Sequence, residues 1–195
     1  MDSEASVHCT AFVNCTQLAS GTVQDVAMAA KNWRETNDTQ TLLVFDSNTG
    51  AAIDLALEGS LQQVEQRYQP PPAIVAIRKP GRPKLGVVGH EVTLLPRHWQ
   101  WLRSQPGGAS VALRKLVDQG RKDNAEVDDV RRARVAITTV CTALVGNIAG
   151  FEEAQRALYN NDLRRFNFEI ELWPTDIKAF IGQLAPLAFK EIAID

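Results

Sequence analysis

Cys9-Thr-Ala-Phe-Val-Asn-Cys-Thr-Gln-Leu-Ala-Ser20 is the stretch that decides the fold class. Cys9 to Val13 and Gln17 to Ser20 read as two short strands around the turn-prone Asn14. The residues after Gly21 predict a helix: Thr22 can cap it, and Val23, Val26, Ala27, Ala30 and Trp33 form one stripe up to about Arg34. Thr41-Leu-Leu-Val-Phe45 reads as a buried strand, Asp46-Ser-Asn-Thr-Gly50 as a turn, and Ala52-Ile-Asp-Leu-Ala-Leu57 as a further strand. Ser60 with Gln63 makes a capping box for a last short helix ending near Tyr68. Residues 1–69 thus predict a small α+β domain of order ββαββα, a mixed sheet with helices.

Pro70-Pro71-Pro72 forbids helix and favours a stiff extended link, so a boundary falls there. Residues 70–88 read as a Pro-rich basic linker, 89–122 as a strand followed by two short helices, and 123–195 as a helical domain. In the last, Val130, Ala133, Ile137, Val140, Cys141 and Leu144 share one helical face. Phe151, Ala154 and Leu158 give a second helix, and Leu163, Phe166 and Ile170 a third. Thr175 can cap a fourth, with Ile177, Phe180, Ile181 and Leu184 on one side.

Charge is distributed unevenly. Arg78 to Lys122 holds ten Lys or Arg and only two acids, Glu91 and Asp118, a local charge of +8 in a chain whose total is −2. Concentrated positive charge on a strand–helix–helix pattern suits a nucleic-acid contact better than a catalytic pocket. Within this segment Glu91-Val-Thr-Leu-Leu95 is short and β-prone, and Pro96 suits the first turn of a helix. Arg97 to Gln105 gives about two turns, Pro106-Gly107-Gly108 breaks them, and Ala109 or Ser110 caps a second helix. There Ala109, Leu113, Leu116 and Val117 share a face. Such a unit is too small to bury its own apolar surface, and pairing two copies would solve this.

Val92-Thr-Leu-Leu-Pro96, Arg97-His-Trp-Gln-Trp-Leu102 and Gly108-Ala-Ser-Val-Ala-Leu-Arg-Lys-Leu-Val117 together resemble the ribbon-helix-helix DNA-binding proteins. The resemblance implies a dimer whose paired strands enter the major groove, with Glu91 and Thr93 facing bases. It also implies backbone amides near Ser110 at a phosphate. The ribbon face lacks the Arg, Lys, Asn or Gln that usually reads base edges. Lys79-Pro-Gly-Arg-Pro-Lys84 is similar to the AT-hook, which implies that Arg82 lies in an A·T-rich minor groove. Pro80 stands where the hook has its second core arginine.

Longer phrases resemble an uncharacterised bacterial family, domain of unknown function 2239. They are Cys9-Thr-Ala-Phe12, Leu43-Val-Phe-Asp46, Ile53-Asp-Leu55, Gly81-Arg-Pro-Lys-Leu-Gly-Val-Val88 and Glu91-Val-Thr-Leu-Leu-Pro-Arg-His-Trp99. Gln105-Pro-Gly-Gly-Ala-Ser-Val-Ala-Leu-Arg114, Gly150-Phe-Glu-Glu-Ala154 and Trp173-Pro174 complete the set. The resemblance implies a bacterial, cytosolic protein and supplies no activity.

Enzyme signals are sparse. His8-Cys9 with Cys15 lacks the tight spacing of a zinc site, and Asp46 with Asp54 reads as turn-stabilising acids rather than a catalytic pair. There is no P-loop, no Gly-x-Gly-x-x-Gly and no Gly-x-Ser-x-Gly. An acidic, polar start and the lack of a long apolar run favour the cytoplasm and no membrane partner. No catalytic residue, metal or cofactor is expected.

The sequence therefore predicts a cytoplasmic DNA-binding or nucleoid-associated regulator of transcription, acting as a homodimer. Arg78, Lys79, Arg82 and Lys84 reach phosphates and the minor groove, and Glu91 and Thr93 lie on the ribbon. Arg97, Arg103, Ser110, Arg114 and Lys115 are the further DNA contacts. The alternative is a non-enzymatic protein-interaction adaptor without nucleic-acid binding.

Overall fold

A computed structural model describes residues 7–37, 40–69 and 88–191. The fold is α+β. Three strands, β1 (His8–Val13), β2 (Thr16–Thr22) and β3 (Leu42–Asp46), form an antiparallel sheet in the order β2-β1-β3. Eight helices are described: α1 (Val23–Arg34), α2 (Leu61–Tyr68), α3 (Pro96–Ser104) and α4 (Gly108–Asp123), then α5 (Ala125–Val145), α6 (Phe151–Tyr159), α7 (Leu163–Glu169) and α8 (Thr175–Ala188). Two compact units result. One contains residues 1–70 and 126–195, the other residues 71–125.

The larger unit is built on both faces of the sheet. Asn14 turns β1 into β2 with φ 55°, a left-handed conformation that Asn tolerates better than most residues. Alternation then divides the side chains. Cys9 and Ala11 of β1 and Val44 of β3 pack with Val26, Ala27 and Ala30 of α1 and Val64 of α2. Phe12 and Phe45 point to the opposite face, where they join Ile137 and Val140 of α5, Leu158 of α6, Phe166 of α7 and Phe180 of α8. Phe12 meets Phe180 edge-on at 6.0 Å between ring centroids, and Phe45 at 6.4 Å. Segments 7–69 and 126–191, which the sequence presents as separate, thus share one core.

Local chemistry fixes the helix starts. Thr22 and Asp25 form a reciprocal capping box on α1, and Ser60 and Gln63 form another on α2. The hydroxyl and backbone N–H of Thr22 both donate to the Asp25 carboxylate, which holds its pKa below the usual carboxylate range. At α8, Pro174 rather than Thr175 occupies the cap position, and no side chain bonds the first turn.

The expected strand over Ala52–Leu57 does not form. Only one bridge links Ala52 to Phe45, with Ile53 N–H donating to Val44 O at 2.8 Å. Beyond it, side chains replace the ladder: Ala56 N–H donates to Tyr68 Oη at 2.7 Å, and Ala56 O accepts from the Arg67 guanidinium. Leu55 and Leu57 are buried all the same. The alternating pattern therefore reports burial here and not a sheet.

The turn after β3 is set by Asp46, whose Oδ1 accepts from the N–H groups of Asn48 and Thr49 at 2.8 Å each. It brings Gly50, at φ 69°, against the backbone of α5. A Cβ on Gly50 would stand 2.6 Å from Ala136 Cα and 2.7 Å from Ala136 O. Gly50→Ala is therefore expected to cost about 2–4 kcal/mol, combining left-handed strain with overpacking. Gly182→Ala in α8, where a Cβ meets nothing within 4 Å, leaves stability unchanged or raises it by up to about 1 kcal/mol. Chemical denaturation of the two variants beside the wild type checks this.

Candidate nucleic-acid interface

All the residues singled out for DNA contact fall within residues 71–125, the smaller unit. Among its described residues, 88–95 have no regular structure. The strand predicted over Glu91–Leu95 is absent: no described strand pairs with it, and an isolated strand leaves its backbone groups unpaired. Leu95 is extended, with φ −65° and ψ 152°, and Pro96 opens α3 where its missing N–H costs nothing. The ribbon on which the expected ribbon-helix-helix likeness depends is therefore not formed among the described residues. Glu91 and Thr93 are exposed on the irregular segment.

Helix α4 starts earlier than its sequence suggests. Gly107, left-handed at φ 84°, is the cap residue, and α4 begins at Gly108 rather than after Ala109 or Ser110. A Cβ on Gly107 would lie 3.1 Å from two Val111 side-chain carbons, so the turn is both left-handed and tightly covered. Ser110 consequently sits in the first turn, exposed, with its carbonyl accepting from Arg114 Nε at 3.1 Å.

Packing in this unit is thin. Leu102 of α3 and Ala112 of α4 are the only buried side chains among its described residues. Between the two helices runs an open trough of about 300 Å³ lined by Leu94, Arg97, Trp101, Leu102, Leu113 and Leu116. Trp101 is 50% exposed, Leu116 51% and Val117 58%. Large apolar side chains thus cluster here at half exposure, a feature shared by interaction surfaces.

The cations are exposed as well. Arg97, Arg103, Arg114, Lys115, Arg121 and Lys122 all face solvent, and none forms an ion pair with a described residue. The larger unit contrasts with this: Lys31, Arg131, Arg132, Arg156, Arg165 and Lys190 each pair with a carboxylate. Arg103 borders a shallow hollow with Leu94, Pro96, Trp99 and Gln100. Arg121 and Lys122, absent from the contacts expected from sequence, lie seven residues beyond Arg114 and Lys115. That spacing is two helical turns, so the four share one side of α4. The repeat was visible in the sequence and is the signal that finds them. Arg78, Lys79, Arg82 and Lys84, the arm predicted to enter the minor groove, lie outside the described residues.

The larger unit offers weaker chemistry. Asp46 serves its own turn, and Asp54 is exposed. Burial pushes the Cys9 thiol up to about 11, with Asp46 and Asp25 adding to the rise, and burial alone takes Cys141 to about 12. Both thiols are therefore held protonated and packed. Among the described residues no three His, Cys, Asp or Glu side chains converge as metal ligands, and no helix is long and apolar enough to cross a membrane. A cleft of about 350 Å³ is lined by Val7, Asp46, Asn48 and Thr49 on one side, and by Asp129, Arg132 and Ala133 of α5 with Leu184 and Leu187 of α8. Its Arg132 and Asp129 already pair with each other at 3.1 Å.

Comparison with curated proteins finds no match, and comparison with solved structures finds none either. The family described as an uncharacterized protein conserved in bacteria, DUF2239, matches residues 8–185, a span that takes in the smaller unit and most of the larger, and the chain belongs to that family.

Proposed function

We propose that this protein binds DNA as a homodimer through its basic smaller unit, in the manner of a regulator or nucleoid-associated protein. The observation that carries the reading is the set of six solvent-facing cations on α3 and α4 that find no carboxylate among the described residues. No described carboxylate neutralises this charge, and a polyanion would, with release of its counterions. The apolar trough supports the dimer. Among the described residues two buried side chains are few to hold a helix pair, and a second copy laid on Trp101, Leu113 and Leu116 adds to that core. In that dimer residues 91–95 of two chains pair as the ribbon that one chain cannot form. Arg82 adds a minor-groove contact beside phosphate contacts from Arg78, Lys79 and Lys84.

The competing reading is a protein-interaction adaptor, favoured by the same trough if a different protein fills it. Two experiments separate them. Leu116→Asp places a charge in the trough and turns a sedimenting dimer into monomer, whereas Leu172→Asp, at a position 94% exposed in the larger unit, leaves it intact. A wild-type chain that stays monomeric at every concentration contradicts the dimer. Titration of A·T-rich and G·C-rich duplexes at two salt concentrations tests the arm. Binding falls steeply with salt, is tighter on A·T-rich duplex, and loses that preference with Arg82→Ala. An adaptor leaves both duplexes unbound even at low salt.

A further inference from the structure

We infer that the exposed side of α4 is a phosphate-contact ridge, which grips the DNA backbone without reading bases. This inference rests on the DNA-binding reading and names the surface that performs it. Arg114 and Lys115 recur as Arg121 and Lys122, so two pairs of cations stand about 10 Å apart along the helix. That distance matches the axial rise of about three phosphates on one strand of a duplex. All four side chains are exposed and none pairs with a described carboxylate.

Asp118 is informative because it occupies the middle of the ridge. It lies three or four residues from each of the four cations, the spacing at which helical ion pairs form, yet it pairs with none of them. It leaves them free while opposing any anion that approaches, so it limits affinity. The side chains are those of backbone binding. Lys and Arg supply positive charge and phosphate hydrogen bonds but little sequence choice, and Gln119, the amide beside them, donates to the Asp123 carboxylate at 2.6 Å.

An anionic membrane is the other polyanion that a basic amphipathic helix could meet. The geometry of α4 disfavours it. At about 100° per residue the four cations and Asp118 span an arc centred roughly opposite Ala112, Leu113 and Leu116. A helix lying in a membrane interface needs its cations flanking the apolar face so that both engage together. Here engagement of the cations turns the apolar face away, where α3 and the trough already lie.

The test is a salt titration of the full-length chain on the same two duplexes, with the double variant Arg121→Ala/Lys122→Ala and the single variant Asp118→Asn. Vesicles containing anionic lipid provide the comparison. The double variant is expected to lower the slope of log K against log salt by about 2, and to weaken both duplexes by the same factor. Asp118→Asn is expected to tighten both by about two- to fivefold. These substitutions lie on an exposed helical face, and a circular dichroism spectrum checks that α4 persists. Duplex binding that none of these substitutions alters overturns the ridge while leaving the DNA reading intact. No duplex binding by the wild type at low salt overturns both. Vesicle binding with the same dependence on the variants, in place of duplex binding, overturns the assignment of the ridge to DNA.

Discussion

Phe12 is the residue on which the rest of the larger unit depends. It is fully buried, sits next to the bulge between Ala11 and Phe12, and touches Phe45 from its own sheet and Phe180 from the last helix. Replacing a buried Phe by Ala costs about 3–5 kcal/mol in general, a large part of the stability of a domain this size. Polar contacts reinforce the same junction. Gln17 N–H donates to Asp176 Oδ2 at 2.7 Å, and Cys15 Sγ–H donates to Leu144 O at 3.3 Å, so the β1–β2 hairpin is tied to α8 and α5. The sheet keeps its other face for α1 and α2, and three strands suffice because both faces are covered.

The smaller unit obeys a different constraint. Among its described residues only Leu102 and Ala112 are buried, and no described carboxylate pairs with its cations. The two properties have opposite remedies, since a partner that closes the trough must be apolar and one that neutralises the cations must be anionic. On α4 they occupy opposite sides, so an apolar partner and an anionic one would not compete for the same surface. Helical periodicity is what makes this separation possible: apolar Ala112, Leu113 and Leu116 share one side, and Arg114, Lys115, Arg121 and Lys122 the other.

Much of this was legible in the sequence, and what was not has physical causes. Caps were readable because they are local: Thr22 with Asp25 and Ser60 with Gln63 need only a three-residue spacing. The α+β class came from the strands on either side of Asn14. Ala52–Leu57 misled because burial of Leu55 and Leu57 produces the same alternation as a strand, while the hydrogen bonds go to Tyr68 and Arg67. The union of the two ends was hidden because periodicity shows that Phe12 and Phe180 are buried but not what buries them. In the basic unit, charge was plain from composition. Trp99 and Trp101, two apart on α3, face different ways, the first partly buried and the second half exposed. Leu113, Leu116 and Val117 were readable as one face, but its exposure was not, because exposure depends on what else the fold places there.

The central structural claim is that the first and last parts of the chain form one cooperative body around Phe12, distinct from the basic unit. Amide hydrogen exchange on Phe12→Ala tests it most directly. Protection should fall together in β1, β3, α5 and α8, while exchange in α3 and α4 stays as in the wild type. Loss confined to β1–β3, with α5 and α8 as protected as before, would contradict it and return the two ends to separate domains.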